Sequence, residues 1–236
     1  MPYKLLDAFE GLFTGSAYLH RNSTQGDRVA SFLVDDMYAL GRSPKLKAAV
    51  DALDLVLNVA NKTEGLPHRR GDGTFGTLVP GEVANKNATY VVGLGRVANI
   101  LLGAEVKILA KAMVKQIDRV GTDLINQATE FQKHGSPICV GIAGYNYADG
   151  YTSFEGAKPW PTDGKRYKHP IQEAAVAEGK LTTRGVHTHY DEFLTFRFIA
   201  TNAPPHTFSW LDAARTNREY GSALVRLSAR FEKTWP

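Results

Sequence analysis

Glu105 and Lys107 stand two residues apart in the run ILLGAEVKIL, where almost every other side chain is aliphatic. On a strand, side chains at i and i+2 leave the same face. An anion and a cation therefore share a surface that otherwise wants apolar groups. Such a pair suits metal-assisted phosphodiester hydrolysis. The carboxylate would hold Mg²⁺, the backbone carbonyl of Val106 would add an oxygen ligand, and the lysine would orient or activate the attacking water. The plainer alternative is an edge strand carrying a solvated ion pair. In residues 110–131, Met113, Ile117, Val120 and Leu124 form one stripe, and Lys111, Lys115 and Arg119 lie roughly opposite. This period predicts a helix with a basic face near the same sheet edge, where it would neutralise phosphates.

The stretch GAEVKILAKAMVKQIDRVGTDLINQATEF, followed by PICVGIAGYNYADGYTS, resembles the second half of the PD-(D/E)xK restriction-endonuclease-like core. The likeness covers about residues 85–150: an ExK strand, a helix bearing Lys and Gln, and a further core strand. It implies an α/β fold with a mixed central sheet flanked by helices, and a Mg²⁺-dependent endonuclease acting on DNA, similar to type II restriction enzymes. It also implies a homodimer, for which the first helices are candidate contacts. Carried over by residue, it makes Glu105 the metal carboxylate and Lys107 the catalytic lysine, with Gln116 or Lys115 as adjoining helix candidates.

That family supplies a further Asp upstream, and the corresponding position here is Asn99, whose amide is a poor metal ligand. On one continuous strand at ~3.4 Å per residue, Asn99 would lie ~20 Å from Glu105. The second acid must then come from elsewhere, either Asp72 in HRRGDGTFG or Glu82 in PGEVA. Asp72 is preferred, because its flanking glycines let a loop approach a metal or phosphate. Beside it, His68, Arg69 and Arg70 are candidate contacts to a nucleic-acid backbone. Lys165, Arg166 and Lys168, interleaved with Trp160, Tyr167 and His169, form a further candidate nucleic-acid-binding segment.

Two other classes compete. A catalytically silent nucleic-acid-binding or defence-associated protein would keep the fold without the upstream acid. A metalloenzyme would use His187 and His189, which on a strand would face one way and chelate Zn²⁺ or Fe²⁺ with Asp191 or Glu192. No GxSxG, Walker A or HExxH pattern occurs. The single cysteine, Cys139, lies in an apolar run where a thiolate is disfavoured, so cysteine chemistry is not expected.

The elements that must position these groups follow from periodicity. Residues 27–40 read as one helix, with Val29, Phe32, Leu33, Met37 and Leu40 on one side. Ser43-Pro44 starts a second helix running to about Ala60. Residues 63–88, broken by glycine and proline, read as a structured loop or hairpin region, and 89–108 as a hairpin with a buried inner strand. A strand ICVGIAGYN, an exposed basic loop with some helix over 151–184, a strand over 193–201 and a helix over 210–235 complete the chain. We expect a single domain with a helical part over 1–62, a nuclease-like core over 63–150 and a substrate-contact or dimerisation part over 151–236.

With 236 residues, 43% hydrophobic and 22% charged, the chain can bury a core and need not be disordered. A net charge of +4 suits a polyanionic partner without requiring one. One cysteine excludes an intrachain disulfide and CxxC-type zinc or redox sites, which fits a cytoplasmic protein. No apolar run approaches the ~18 residues of a membrane span.

Overall fold

The computed structural model describes residues 3–20, 24–58, 71–86, 88–133 and 135–235. The fold is α/β, with a mixed seven-stranded central sheet flanked by helices on both faces. In chain order the elements are α1 (Lys4–Glu10), α2 (Thr24–Ala30), α3 (Leu33–Leu40), α4 (Pro44–Asp51), β1 (Leu55–Asn58), β2 (Gly73–Leu78), β3 (Gly93–Gly95) and β4 (Val97–Leu109). They continue with α5 (Met113–Gln132), β5 (Ile138–Asn146), β6 (Thr152–Glu155), β7 (Lys158–Pro161), α6 (Ala174–Thr183), β8 (Glu192–Ala200), β9 (Phe208–Trp210) and α7 (Ala213–Thr234).

The sheet order is β3-β1-β2-β4-β5-β8-β9, and β6 and β7 form a separate hairpin. β2 lies antiparallel to both β1 and β4, whereas β4, β5 and β8 run parallel. The parallel pairs need crossovers, which α5 and α6 supply. β5 is buried along its whole length, as a strand covered on both faces must be, which accounts for its unbroken apolar run. On one face, Phe9, Val29, Leu33, Met37, Leu224 and Phe231 join the helices α1–α3 and α7 to the sheet. On the other, Met113, Ile117 and Leu124 of α5 pack with Ala177 and Leu181 of α6. The stripe expected on α5 is therefore its buried face. Among the described residues no helix is long and apolar enough to cross a membrane.

Four expectations are corrected. The helix over 27–40 breaks into α2 and α3, where the Ser31 hydroxyl donates to the Asp27 carbonyl at 2.6 Å and Phe32 N–H bonds back to Val29 in a tightened turn. The second helix stops at Asp51 instead of near Ala60: Leu53 takes a left-handed φ of 62°, and Leu55–Asn58 pairs as a strand with β2 and β3. A short apolar run fits either period, and sheet pairing decided it. Residues 89–108 are not a hairpin, because β3 pairs with β1 while β4 lies between β2 and β5. In 151–184, β6 and β7 form a hairpin whose turn residue Gly156 has φ 59°, and Pro159 and Pro161 are tolerated because β7 is an exposed edge.

Buried polar groups lock distant segments together. The Asp36 carboxylate accepts from the backbone N–H of Lys4 (2.8 Å) and Leu5 (3.0 Å) and from the Tyr220 hydroxyl (2.8 Å), tying α1, α3 and α7. Burial raises the Asp36 pKa, against the pull of these three donors. Asn146 does similar work at the C-terminal ends of the parallel strands. Its amide donates to the carbonyls of Ala110 (3.3 Å) and Ala200 (2.7 Å), and its oxygen accepts from Ala200 and Ala148. Asp36→Ala would strand three donors, two of them buried, and should lower unfolding free energy by about 3 kcal/mol or more, with Tyr220→Phe costing about 1–2 kcal/mol. Urea denaturation followed by circular dichroism checks both; equal midpoints for wild type and Asp36→Ala would remove this junction from the account.

Candidate active site

β2 begins at Gly73, opposite Ala104, so the β2–β4 ladder ends before it reaches Glu105 and Val106. Where the ladder stops, the side chain of Asp72 takes over, and its Oδ2 accepts the Val106 N–H at 2.7 Å. In an extended strand the N–H and C=O of one residue leave by the same edge. The Val106 carbonyl, the expected backbone ligand, therefore also points toward the Asp72 side. Glu105 and Lys107 share the face turned to α5: Leu109, next in that alternation, packs in the α5-side core, and Gly103 lies under the ring of Phe131. A Cβ on Gly103 would stand 2.8 Å from that ring, so a glycine is required for α5 to seat against β4 at this level.

Glu105 and Lys107 form an ion pair, Nζ to Oε1 2.5 Å, with the Glu105 side chain 8% and the Lys107 side chain 28% exposed. Burial, and next the charge of Glu105, push the Asp72 carboxyl up to about 8, while the Val106 N–H and Lys107 act in the opposite sense. Lys107 is disfavoured as a cation by burial, but Glu105, and beyond it Asp72 and Asp123, outweigh that and raise its pKa. The lysine is thus an ammonium at neutral pH. It can donate to a water or a phosphate oxygen but cannot accept a proton in this state.

The donor set fits Mg²⁺. Two carboxylates, Asp72 and Glu105, and one carbonyl are hard oxygen donors, and Mg²⁺ is usually held by one or two carboxylates while keeping several waters. A buried acid driven toward its neutral form by a second acid is also the arrangement that a divalent cation relieves. Among the described residues there is no group of three or more His, Cys, Asp or Glu side chains placed to hold a metal. Any ion here would rely on that pair, the carbonyl and water.

The other candidates divide. Glu82 is engaged by Arg96, and Asn99 lies opposite Thr77, whose hydroxyl its amide reaches at 3.4 Å, so neither joins Glu105. Gln116 donates to the Lys111 carbonyl at 2.8 Å and braces that residue. Arg119 faces Asp123 at 3.9 Å on the exposed side of α5. His68, Arg69 and Arg70 lie outside the described residues. Lys111, Lys115, Arg166 and Lys168 come together in one groove of about 570 Å³, with Trp160 and Tyr167 also in its wall. Lys165 is exposed on the adjoining turn.

His187 and His189 do not share a strand face. They lie in a 3₁₀ turn, Val186–His189, where residues two apart point about 120° apart. Asp191 holds the Cys139 N–H (2.8 Å) and Arg230 (2.7 Å), and Glu192 holds Arg226. Cys139 is buried, and burial followed by the charge of Asp191 pushes its thiol up to about 12, so it stays a thiol.

Two neighbours escaped the sequence reading. Gly26 of α2 touches the Asp72 carboxylate: a Cβ there would stand 2.5 Å from Oδ2, and the adjacent Asp27 adds to the negative field on Asp72. A glycine in the first turn of an otherwise good helix was the available signal. Burial, and then the charge of Lys111, lower the pKa of His20 to about 4, and its Nε2 lies 3.1 Å from the Tyr151 hydroxyl. Nothing in its sequence context marks it. Comparison with family models, curated proteins and solved structures gives no match to this chain.

Because the native pKa of Asp72 lies above the ordinary 3.8, its contribution to stability is full below that value and is lost as pH rises through about 8. In EDTA, Asp72→Asn should therefore gain stability relative to wild type between pH 5 and pH 9, and Mg²⁺ should raise the wild-type melting temperature more at pH 9 than at pH 5. Thermal melts at both pH values check this; a Mg²⁺ effect of equal size in the Asp72→Asn variant would detach the ion from this carboxylate.

Proposed function

We propose that this protein is a Mg²⁺-dependent endodeoxyribonuclease on a restriction-endonuclease-like core. One observation carries the reading: Asp72, from the end of an antiparallel neighbour, meets Glu105, Val106 and Lys107 on the inner strand β4. That strand leads through α5 into β5, which lies parallel beside it. This succession of ExK strand, helix and further core strand is the one implied by the resemblance in 85–150.

In this reading Asp72, Glu105 and the Val106 carbonyl hold the ion, and Asp72 takes up its charged form in doing so. A bound Mg²⁺ would supply Lewis acidity at a phosphodiester oxygen and a more acidic water. Lys107, charged and anchored by Glu105, donates to the attacking water or to the phosphate and offsets the negative charge that grows in the transition state. Lys111, just past the end of β4, and Lys115 on α5 stand where the backbone of DNA would leave the site, and each neutralised phosphate adds to affinity and to its salt dependence.

Plasmid DNA should be cut in Mg²⁺ and left intact in EDTA. Glu105→Gln, Lys107→Ala and Asp72→Asn should each slow cleavage at least about 100-fold, with DNA binding retained. Measured rates equal to wild type for all three variants would overturn the assignment; binding without Mg²⁺-dependent cleavage by wild type would favour a silent DNA-binding protein.

A further inference from the structure

The groove beside α5 is built from three parts of the chain. The β6–β7 hairpin brings Ser153, Glu155 and Trp160, the following turn brings Arg166, Tyr167 and Lys168, and the start of α5 brings Lys111 and Lys115. The turn is held in shape from within. Asp163 Oδ1 accepts the N–H groups of Lys165 (2.9 Å) and Tyr167 (2.8 Å), and the Thr162 hydroxyl bridges His169 Nδ1 (2.7 Å) and the Tyr151 N–H (3.0 Å).

Trp160 and Tyr167 are 43% and 49% exposed although both are large aromatics in the wall of a groove. Each ring already has a cation beside it, Lys158 Nζ at 4.3 Å from the Trp160 centroid and the Arg166 guanidinium at 5.2 Å from that of Tyr167. Four cations and two carboxylates, Glu155 and Glu173, line the groove, leaving a formal surplus of 4 − 2 = +2. Glu173 is spent on the fold, because its Oε2 accepts the Met113 N–H at 3.0 Å at the otherwise uncapped start of α5.

Cations alone would serve a duplex, whose phosphates are outside and whose base faces are hidden. Exposed aromatic rings set among those cations serve a strand whose base faces are free, since stacking needs an unpaired base. We infer that this groove binds single-stranded DNA, with Trp160 and Tyr167 stacking on unpaired bases while Lys111, Lys115, Arg166 and Lys168 hold the phosphates. The inference rests on the nuclease reading for its choice of DNA, and it narrows the substrate to DNA that carries an unpaired stretch. Lys111 connects the two places, since it lines the groove and follows directly on the strand that carries Glu105 and Lys107.

Fluorescence anisotropy of the full chain in EDTA, where no cleavage interferes, tests this with a labelled oligonucleotide and the blunt duplex of the same sequence. Wild type should bind the single strand more tightly. Trp160→Ala and Tyr167→Ala should each weaken single-strand binding about 10-fold while leaving duplex affinity unchanged, Trp160→Phe should restore most of the loss, and Lys168→Ala should flatten the salt dependence. All variants should melt like wild type. Duplex bound as tightly as single strand, or folded Trp160→Ala and Tyr167→Ala with wild-type single-strand affinity, would overturn the inference. Either result could occur with Glu105-dependent cleavage intact, in which case the nuclease reading stands. Stacking-dependent single-strand binding without any Mg²⁺-dependent cleavage would have the opposite meaning.

Discussion

The hydrogen bond from the Val106 N–H to the Asp72 carboxylate is the constraint on which the candidate site depends. It stands at the point where β2 stops pairing with β4, so an acidic side chain replaces a backbone carbonyl in the ladder. The substitution brings a second carboxylate toward Glu105 in a buried place; burial and then the Glu105 charge raise the proton affinity of Asp72, and against burial Glu105 and Asp72 raise that of Lys107. A buried ion pair with a second acid beside it, held toward its neutral form up to about pH 8, is costly to keep inside a fold. Asp72 serves the fold by satisfying the Val106 N–H, while Glu105 and Lys107 set an ion pair on a face that is otherwise apolar.

The rest of the molecule keeps this arrangement rigid. β4 is an inner strand with neighbours on both edges, and α5 is held against it by the Phe131 ring over Gly103. Asn146 ties the ends of β4 and β8 through their carbonyls, which fixes the departure of the chain toward Lys111. Farther away, the Asp36 junction joins the first helices to α7, so the N-terminal and C-terminal parts form one continuous core with the sheet. Glu105 and Lys107 thus sit on an inner strand and Asp72 at the entry to its neighbour, while the aromatic groups of the groove lie on a hairpin and turn at the periphery.

A buried acidic centre and a cationic, aromatic groove make different demands on a polyanion. At neutral pH the centre is close to charge balance, with Glu105 paired to Lys107 and Asp72 held toward its neutral form, whereas the groove carries a formal surplus of cations. Lys111 lines the groove and, after burial, is the second cause that lowers the pKa of His20, whose ring is bonded to Tyr151 just before β6.

Local pattern was enough for α5, β5, β8 and α7, whose apolar periods are long and match their burial. The pairing of Glu105 with Lys107 was equally legible, because period-two alternation leaves no other outcome on a strand. The preference for Asp72 over Glu82 was a choice among glycine-flanked acids, and only the register of β2 on β4 placed it against Val106. Tertiary pairing alone turned Leu55–Asn58 into a strand, moved β3 to β1, and put His187 and His189 on a tight turn. It also assembled the groove from segments 50 or so residues apart and brought Gly26 and Asp27 to Asp72. Which residues repeat with which period is already fixed along the chain, because that depends on neighbours a few positions away. Which acids meet, and which cations face one groove, depends on strand register and crossover, and those are decided by burial of the whole sheet at once.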